Sequence, residues 1–283
     1  MGKRDLNGKT AVITGAASGI GRGLALALAK EQCTILLADI NEAGLKQTSE
    51  MVRQSGGKPE IFLCDVSRLD DVMRMADHCF DAWGKVDLLI NNAGVASVGF
   101  MGDIPIKDWE WIVSINFWGV VYGCHAFVPR MKKQGSGSIV NVASAAGILS
   151  SAEMAPYNAT KAAVISISET LKSELAPHNI GVTVICPTFI KTNLMEKLRC
   201  TDEFQRQCST TGVDNARWTP EMIADLVIDA VKKDKMYVVP QVAAKILWIS
   251  KRISPSGFFG FQAFLMRMGW GRKLMFHMAR MGF

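Results

Sequence analysis

The 283-residue sequence lacks the patterns by which metal sites, disulfide frameworks and secreted proteins are recognised. Its four histidines are isolated, and its seven cysteines are scattered without a Cys-x-x-Cys pair. A strand-like run begins at Thr10 after a short charged start, and no secretory signal precedes it. We therefore expect no structural metal, reduced thiols and a cytoplasmic protein.

Acidic residues are missing from the end of the chain, where residues 241–283 carry seven basic residues and no acidic one. Residues 1–240, by contrast, carry 25 basic and 26 acidic residues and are nearly neutral. This shift predicts a boundary between a body, residues 1–240, and a basic, aromatic C-terminal extension, residues 241–283.

The body alternates short apolar runs with segments of helical spacing. The predicted strands are residues 10–14, 34–39, 60–65, 86–90, 138–142, 182–186 and 236–239. The clearest predicted helices are residues 21–31, 41–54 and 69–83, and Thr219 followed by Pro220 predicts the start of the last helix of the body. Apolar strands separated by helices predict a doubly wound α/β Rossmann fold, with a seven-stranded parallel sheet and helices on both faces.

A glycine-rich segment, TGAASGIG at residues 14–21, joins the first predicted strand to the first helix. Glycines allow a tight turn and a close approach of the backbone to a pyrophosphate, which the free N–H groups of a helix N-terminus attract. The segment predicts a dinucleotide site, with a structural turn as the alternative. The predicted contacts are Gly15, Ser18, Gly19, Ile20 and Gly21.

An acid, Asp39, ends the second predicted strand, where a carboxylate can accept hydrogen bonds from the adenine-ribose hydroxyls. It would also repel the additional phosphate of NADP. Neither Ser18 nor Ile40 is basic, so neither offers that phosphate a partner. We therefore predict NAD over NADP as cofactor. The alternative is that Asp39 only caps the turn into the next helix with Asn41.

Tyr157 and Lys161 lie four residues apart, on one face of a predicted helix. A tyrosine with a pKa of about 10 is a poor base near neutral pH, and a neighbouring cation favours the phenolate. Two surface residues on a helix are the alternative. Ser144 ends the fifth predicted strand, Asn91 to Gly94 end the fourth, and Asn116 lies in the helix that follows; ligands of such sheets bind at this edge.

These motifs resemble the short-chain dehydrogenase/reductase family in its one-domain branch. The resemblance covers about residues 8–240. It depends on T-G-x-x-x-G-x-G at residues 14–21, Asp65-Val66, N-N-A-G at residues 91–94, Asn116, and Ser144 with Tyr157-x-x-x-Lys161. The family implies an oxidoreductase that exchanges a hydride between a nicotinamide cofactor and an alcohol or ketone. It also implies a homodimer or homotetramer that pairs through the fourth and fifth body helices.

The resemblance assigns catalytic roles to four of these residues. Tyr157 would give or take the hydroxyl proton, and Lys161 would lower the tyrosine pKa and hold the nicotinamide ribose. Ser144 would hydrogen-bond the substrate oxygen, and Asn116 would anchor a water in a proton relay.

The remaining residues carried over from the family would hold the cofactor. They are Asp65 and Val66 at the adenine, Asn92, Ala93 and Gly94 at the ribose, and Pro187, Ile190 and Thr192 at the nicotinamide amide. This sequence departs from the family after Pro187, where Thr188 replaces the usual glycine, and the local backbone geometry is the point that this departure leaves open.

The family places the substrate between the 144–157 loop and the segment of residues 188–216. Both are rich in apolar side chains, so we predict a lipophilic alcohol or ketone. The predicted substrate contacts are Ser144, Ile148, Met154, Tyr157 and Phe189. Glu153 is predicted to be a solvated loop residue.

The extension combines positive charge with aromatic residues, Phe283 among them, and Val242, Ile246, Ile249 and Ile253 recur at helical spacing. No apolar run in it approaches the roughly 18 residues that span a bilayer. One interpretation is peripheral binding to an anionic membrane surface, and the other is packing of the stripe on the body or another subunit. The aliphatic and methionine side chains between the cations argue against nucleic-acid binding.

Two alternatives to an NAD-linked alcohol or carbonyl oxidoreductase remain. One is a 3-oxoacyl thioester reductase, which would normally use NADPH. The other is a catalytically silent NAD-binding scaffold, against which the intact Ser144, Tyr157 and Lys161 argue.

Overall fold

The computed structural model describes residues 4–282, so residues 1–3 of the predicted body and Phe283 of the predicted extension lie outside it. The strands are β1 (Thr10–Thr14), β2 (Thr34–Asp39), β3 (Lys58–Leu63), β4 (Leu88–Asn91), β5 (Ser97–Val98), β6 (Gly137–Val142), β7 (Ile180–Ile185), β8 (Arg199–Cys200) and β9 (Tyr237–Val238). All except β5 and β8 form one parallel sheet of seven strands in the order β3-β2-β1-β4-β6-β7-β9. The predicted fold class is confirmed.

Strand pairing corrects some of the predicted strand ends. The predicted strand 60–65 is displaced, because β3 begins with Lys58 opposite Thr34 and ends with Leu63 opposite Asp39. β3 is an edge strand with partly exposed side chains on both faces, so apolarity alone locates it poorly. The short parallel pair β5–β8 was not predicted, since two residues carry no periodicity.

Helices cover both faces of the sheet. They are α1 (Gly19–Lys30), α2 (Glu42–Gln54), α3 (Leu69–Trp83), α4 (Ile106–Val113), a π-helical turn (Ser114–Trp118), α5 (Gly119–Gln134), α6 (Ala145–Leu149), α7 (Ala155–Glu174), α8 (Glu203–Asp214), α9 (Pro220–Lys232), α10 (Val242–Ile253), α11 (Pro255–Arg267) and α12 (Gly271–Arg280). Short 3₁₀ turns lie at Ala176–His178 and Asn193–Lys197. As predicted, Thr219 caps α9, and its side chain accepts from Met222 N–H.

Successive residues of a strand point to opposite faces of the sheet, so their side chains pack into two separate hydrophobic cores. Ile13 of β1 packs with α1, α2 and α9, whereas its neighbour Val12 packs with α3, α5 and α7. Because both faces are covered, the central strands β1 and β4 are buried along their whole length and are largely apolar.

The continuous helix Ile106–Gln134 is long and apolar enough to cross a membrane, because it contains an 18-residue window with a mean hydropathy of 1.4. Half of that window is buried inside the protein, as in the core helix of a globular domain. This helix therefore gives only weak evidence for a membrane span.

Helices α10, α11 and α12 form the extension. The apolar stripe of α10 points away from the body, contrary to one of the two interpretations. Ala244 is buried and Trp248 packs against the core, whereas the predicted stripe is exposed, with Val242 at 68% and Ile253 at 79%. The interpretation that this stripe packs on the body is wrong. The face of α10 that carries Ala244, Leu247 and Trp248 provides the contact instead.

The strand order reverses between β1 and β4, because β1 leads outward to β2 and β3 while β4 leads to β6 and β7. The loops after β1 and β4 therefore diverge and leave a crevice at the carboxyl edge of the sheet.

Candidate active site

Hydrogen bonds join the loops after β1 and β4 at this edge. The Thr14 hydroxyl accepts from the backbone N–H groups of Asn92 and Ala93, at 3.0 and 3.1 Å. The Asn92 side chain donates to the carbonyls of Thr14 and Gly15, at 2.9 and 3.1 Å. A Cβ atom on Gly15 would lie 2.8 Å from the Ala93 Cα atom, and φ is +67°, so this position requires glycine.

The N-terminus of α1 opens into the crevice. Ser18 precedes the helix without a capping hydrogen bond from its side chain, so the first turn keeps N–H groups available for an anion. Of the predicted contacts, Gly15, Ser18, Gly19 and Ile20 line the crevice. Gly21 does not line it; a Cβ atom there would lie 2.2 Å from the Gly15 carbonyl oxygen, so this glycine permits packing of the loop on the helix.

The Asp39 carboxylate caps the turn into α2, as the alternative interpretation expected, and it also borders the crevice, so its contact with the adenine ribose stays a prediction. Its Oδ2 atom accepts from Ala17 N–H at 3.1 Å, and its Oδ1 atom accepts from Asn41 N–H at 3.0 Å. The side chain also lines the crevice beside Ile40, which is 62% exposed. Of the described residues that line the crevice, only Lys161 and Lys197 are basic, and neither belongs to the elements around Asp39.

The other predicted cofactor contacts also line this crevice: Asp65, Val66, Asn92, Ala93, Gly94, Pro187, Ile190 and Thr192. Thr188, which departs from the family, does not have a positive φ, unlike five other non-glycine residues among those described. Its backbone N–H donates to Gln241 at 3.1 Å, and its hydroxyl is buried in the crevice without a partner in residues 4–282. The site thus retains a free polar atom that a ligand amide could use.

Ser144 and Tyr157 are brought together by two different elements. Ser144 follows β6 and caps α6 by accepting from Ala146 N–H at 3.1 Å, while its hydroxyl donates to the Pro187 carbonyl at 3.2 Å. Tyr157 lies in the first turn of α7, and its side chain is near enough to Ser144 for the serine hydroxyl to affect its pKa. Both residues line the crevice.

Lys161 is buried one turn after Tyr157, and its Nζ atom donates to the Val142 carbonyl at 2.9 Å. Nζ lies 5.7 Å from the centre of the Tyr157 ring. Burial lowers the pKa of Lys161 to about 8. The pKa of Tyr157 is raised by burial, and the nearby Ser144 hydroxyl opposes this only in part. The predicted lowering of the tyrosine pKa by Lys161 is therefore not found in the protein alone, where burial decides the direction of the shift.

Asn116 lies in the π-helical turn, completely buried behind the crevice rather than in its wall. Its side chain accepts from Val95 N–H at 2.8 Å and donates to the Val95 carbonyl at 2.9 Å. A Cβ atom on Gly94 would lie 3.2 Å from Asn116 Oδ1 and 3.4 Å from Lys161 Nζ. Asn116 thus holds the loop that passes Lys161, while its role in a proton relay stays a prediction.

The crevice continues into an apolar cavity, and the whole has a volume of about 470 Å³. The predicted contacts Met154 and Phe189 line it, together with Leu149, Leu194, Met195 and Leu198. Ile148 was predicted wrongly, because adjacent residues of α6 point in different directions. Leu149 faces the cavity, whereas Ile148 lies in the core and its carbonyl accepts from Lys251.

Glu153 is buried, with only 1% of its side chain exposed, so the prediction of a solvated residue is wrong. Arg272 of α12 donates to both of its carboxylate oxygens, at 2.9 and 2.8 Å, and also to Asp202 at 2.6 Å. Gln205 of α8 donates to Glu153 at 2.9 Å. This cluster fastens α12 to the loop before Tyr157.

Met275 and Met278 of α12 consequently line the cavity, and sequence reasoning missed both. Glu153 and Arg272 are 119 residues apart, and no local pattern connects them. The only periodic pattern recognised in the extension was the apolar stripe of α10, and that stripe does not include the methionines of α12.

Comparisons with known proteins agree with this geometry. Residues 9–203 match the family described as short chain dehydrogenase. The chain is 35% identical over 255 residues to the Mycobacterium tuberculosis protein named as oxidoreductase SadH, covering 89% of this chain and 92% of that protein. It is 33% identical over 238 residues to the 3-oxoacyl-[acyl-carrier-protein] reductase FabG of Thermotoga maritima, covering 84% and 96%. A crystal structure of a short chain dehydrogenase/reductase from Burkholderia phymatum in complex with NAD has a TM-score of 0.83 and 33% identity, covering 87% and 93%.

The buried Lys161 ammonium should destabilise the fold. Its folded-state pKa of about 8 lies below that of an ordinary lysine, so the unfolded chain binds more protons between pH 8 and about 10.5. Below pH 8 the buried charge lowers the free energy of unfolding, and this loss is recovered as the pH rises through that window.

We expect Lys161→Met to raise the free energy of unfolding by about 1 to 3 kcal/mol at pH 7, with the gain vanishing near pH 10. Denaturant unfolding at both pH values, with exposed Lys133→Met as control, measures this; a gain of equal size at pH 10 would contradict it.

Proposed function

The chain belongs to the short-chain dehydrogenase family of NAD(P)-dependent oxidoreductases, and on that premise we propose that it interconverts a lipophilic alcohol and its ketone with NAD. One observation carries the proposal: Ser144 and Tyr157 stand in the wall of a single cavity that reaches from the glycine loop to an apolar chamber. A proton donor and an anion-binding helix end therefore face one enclosed volume.

The residues of the crevice fit a nicotinamide dinucleotide. The first turn of α1 would hold the pyrophosphate, Asp39 the adenine ribose, and the unpartnered Thr188 hydroxyl the amide end. When bound, the cofactor supplies hydride exchange with the substrate carbon, so the protein must provide orientation and one proton.

Tyr157 moves that proton. In reduction the phenol donates to the substrate oxygen, which Ser144 holds by a hydrogen bond; in oxidation the phenolate accepts from the alcohol. Since burial raises the pKa of Tyr157, the neutral phenol predominates near neutral pH and is ready for reduction. Alcohol oxidation requires the phenolate and should accelerate as the pH rises.

The preference for NAD is supported by the charge around Asp39. A carboxylate faces the crevice there, and Ile40 beside it is exposed and apolar. The additional phosphate of NADP would meet the negative charge of Asp39, and neither Asp39 nor Ile40 offers it a basic partner.

The lipophilic substrate is supported by the side chains of the chamber. Leucines, methionines and Phe189 line it, and Arg272 is already paired with two carboxylates. Arg199, in the same covering segment, pairs with Asp108. Apart from Lys161, which donates to the Val142 carbonyl, and the exposed Lys197, an anionic substrate would therefore find no cation among the described residues that line the cavity.

A 3-oxoacyl thioester is the second candidate substrate, favoured by the similarity to the Thermotoga maritima reductase. It would place the oxo group at Tyr157 in the same way. Assaying a 3-oxoacyl thioester beside simple ketones of equal chain length separates the two candidates.

Removing the Tyr157 hydroxyl tests the mechanism. We expect Tyr157→Phe to lower kcat by about 10²- to 10⁴-fold, because the proton donor is lost, while NAD affinity stays nearly unchanged. Steady-state kinetics with lipophilic secondary alcohols and NAD binding by titration measure the two effects. Tyr122→Phe, at a position outside the cavity, is the control; appreciable turnover by the Tyr157 variant would mean that another group moves the proton.

Placing a cation beside Asp39 tests the cofactor preference. Ile40→Arg should shift the ratio of kcat/KM for NADP over NAD by about ten- to a hundredfold, since a guanidinium can bind the additional phosphate. The exposed Met51→Arg, on α2, adds the same charge elsewhere and should leave the ratio unchanged. If both variants keep the wild-type ratio, Asp39 and Ile40 do not face the adenine ribose.

Filling the chamber from α12 tests its contribution to substrate choice. Met278→Trp should lower kcat/KM for long-chain secondary alcohols by about tenfold or more, with a smaller effect on short ones, because the larger side chain occupies the chamber. Met281→Trp changes an exposed residue just after the same helix and serves as control. An equal loss for every chain length would show that Met278 does not border the substrate.

A further inference from the structure

The extension presents many large apolar side chains to solvent. We call this set the tail surface: Val242, Ile246, Ile249 and Ile253 on α10, Phe261 and Phe264 on α11, and Met268 and Trp270 after it. The residues of α10 and those of α11 each recur at helical spacing, so each helix exposes an apolar face. Phe261 is 61% exposed, and no residue of α11 is fully buried. Apolar faces of this extent are normally covered by a partner.

Exposed cations accompany the tail surface. Five basic residues of the extension are exposed and form no ion pair with any residue in the range 4–282: Lys245, Arg252, Arg267, Lys273 and Arg280. The other two basic residues are tied to the body, Lys251 at the Ile148 carbonyl and Arg272 at Glu153. The extension contains no acidic residue to neutralise them.

We propose that the tail surface binds an anionic lipid bilayer and lies in its interface. Apolar side chains would enter the boundary between headgroups and acyl chains, and the five cations would face anionic headgroups. The helices contain 12, 13 and 10 residues, which is too short to span the roughly 20 residues of a bilayer core. They can lie on the membrane but cannot cross it.

The charge distribution favours lipid over a second copy of the chain. Two tail surfaces facing each other would bring like charges together with no acidic residue between them. The dimer expected from the family resemblance involves the fourth and fifth helices of the body. The fourth is the continuous helix Ile106–Gln134, whose exposed Ile106 and Trp118 lie outside the tail surface. An anionic bilayer satisfies both the apolar and the cationic side chains.

The body holds the tail surface in a fixed orientation. Trp248 packs against Tyr237, and the Arg272 cluster fixes α12. α12 exposes Leu274 and Lys273 while Met275 and Met278 line the cavity. A docked extension would therefore hold one wall of the cavity close to the membrane, where a lipophilic substrate would be found. The benefit to substrate uptake depends on the proposed function; the docking itself does not.

Vesicle sedimentation of the full-length protein tests the proposal without any activity measurement. We expect the protein to sediment with phosphatidylglycerol/phosphatidylcholine vesicles and to remain in the supernatant with phosphatidylcholine alone. Binding should weaken as salt increases, because headgroup attraction is screened. Absence of sedimentation with anionic vesicles at low salt would overturn the proposal.

Two sets of variants separate the apolar and the electrostatic parts. Lys245→Gln/Arg252→Gln/Arg267→Gln should lower vesicle affinity by roughly fivefold per charge removed. Ile246→Ser/Ile249→Ser/Ile253→Ser should abolish sedimentation at moderate salt. The matched controls are Lys30→Gln/Lys58→Gln/Lys133→Gln and Met51→Ser/Leu63→Ser/Met101→Ser, which change exposed residues of the body.

Thermal unfolding and light scattering complete the test, since they report folding and mass independently of lipid. We expect every variant to unfold near the wild-type temperature and to keep the wild-type mass. Two outcomes would overturn the proposal: equal loss of binding in the control variants, or a smaller particle mass in the tail variants, which would assign the surface to a second copy of the chain.

Discussion

The contact between the loops after β1 and β4 is the interaction on which the rest of the site depends. These loops leave the sheet where the strand order reverses, and Thr14 joins them by accepting two backbone N–H groups. Without this contact the glycine loop and the Asn92 segment would be two separate turns. With it, the α1 N-terminus, Ser144 and Tyr157 border one volume, because β6 continues the same sheet edge.

The catalytic residues are assembled at an electrostatic cost. Lys161 is buried with a backbone carbonyl as its hydrogen-bond partner, and burial pushes the pKa values of Lys161 and Tyr157 towards their neutral forms. A fold selected only for stability would place an apolar side chain at Lys161. The buried amine is understandable as part of a site whose charge balance is completed by ligands.

The extension has two faces with different physical roles. Arg272 and two methionines of α12 complete the wall of the cavity, whereas the stripe of α10 and the aromatic residues of α11 face outward. The buried Glu153 carboxylate is costly to desolvate, and four hydrogen bonds among Glu153, Arg272, Asp202 and Gln205 offset that cost. The pair therefore fixes where α12 lies more than it adds stability.

The sequence by itself determined the fold class, the glycine loop and the grouping of Ser144, Tyr157 and Lys161, because each depends on local spacing or on the end of an apolar strand. Only the tertiary structure decided that Glu153 is buried, that Leu149 and not Ile148 faces the cavity, that the Tyr157 pKa rises, and that the α10 stripe faces solvent. The physical reason is the same in each case. Burial depends on which distant segment covers a side chain, and α12 reaches the site from more than a hundred residues away in the chain.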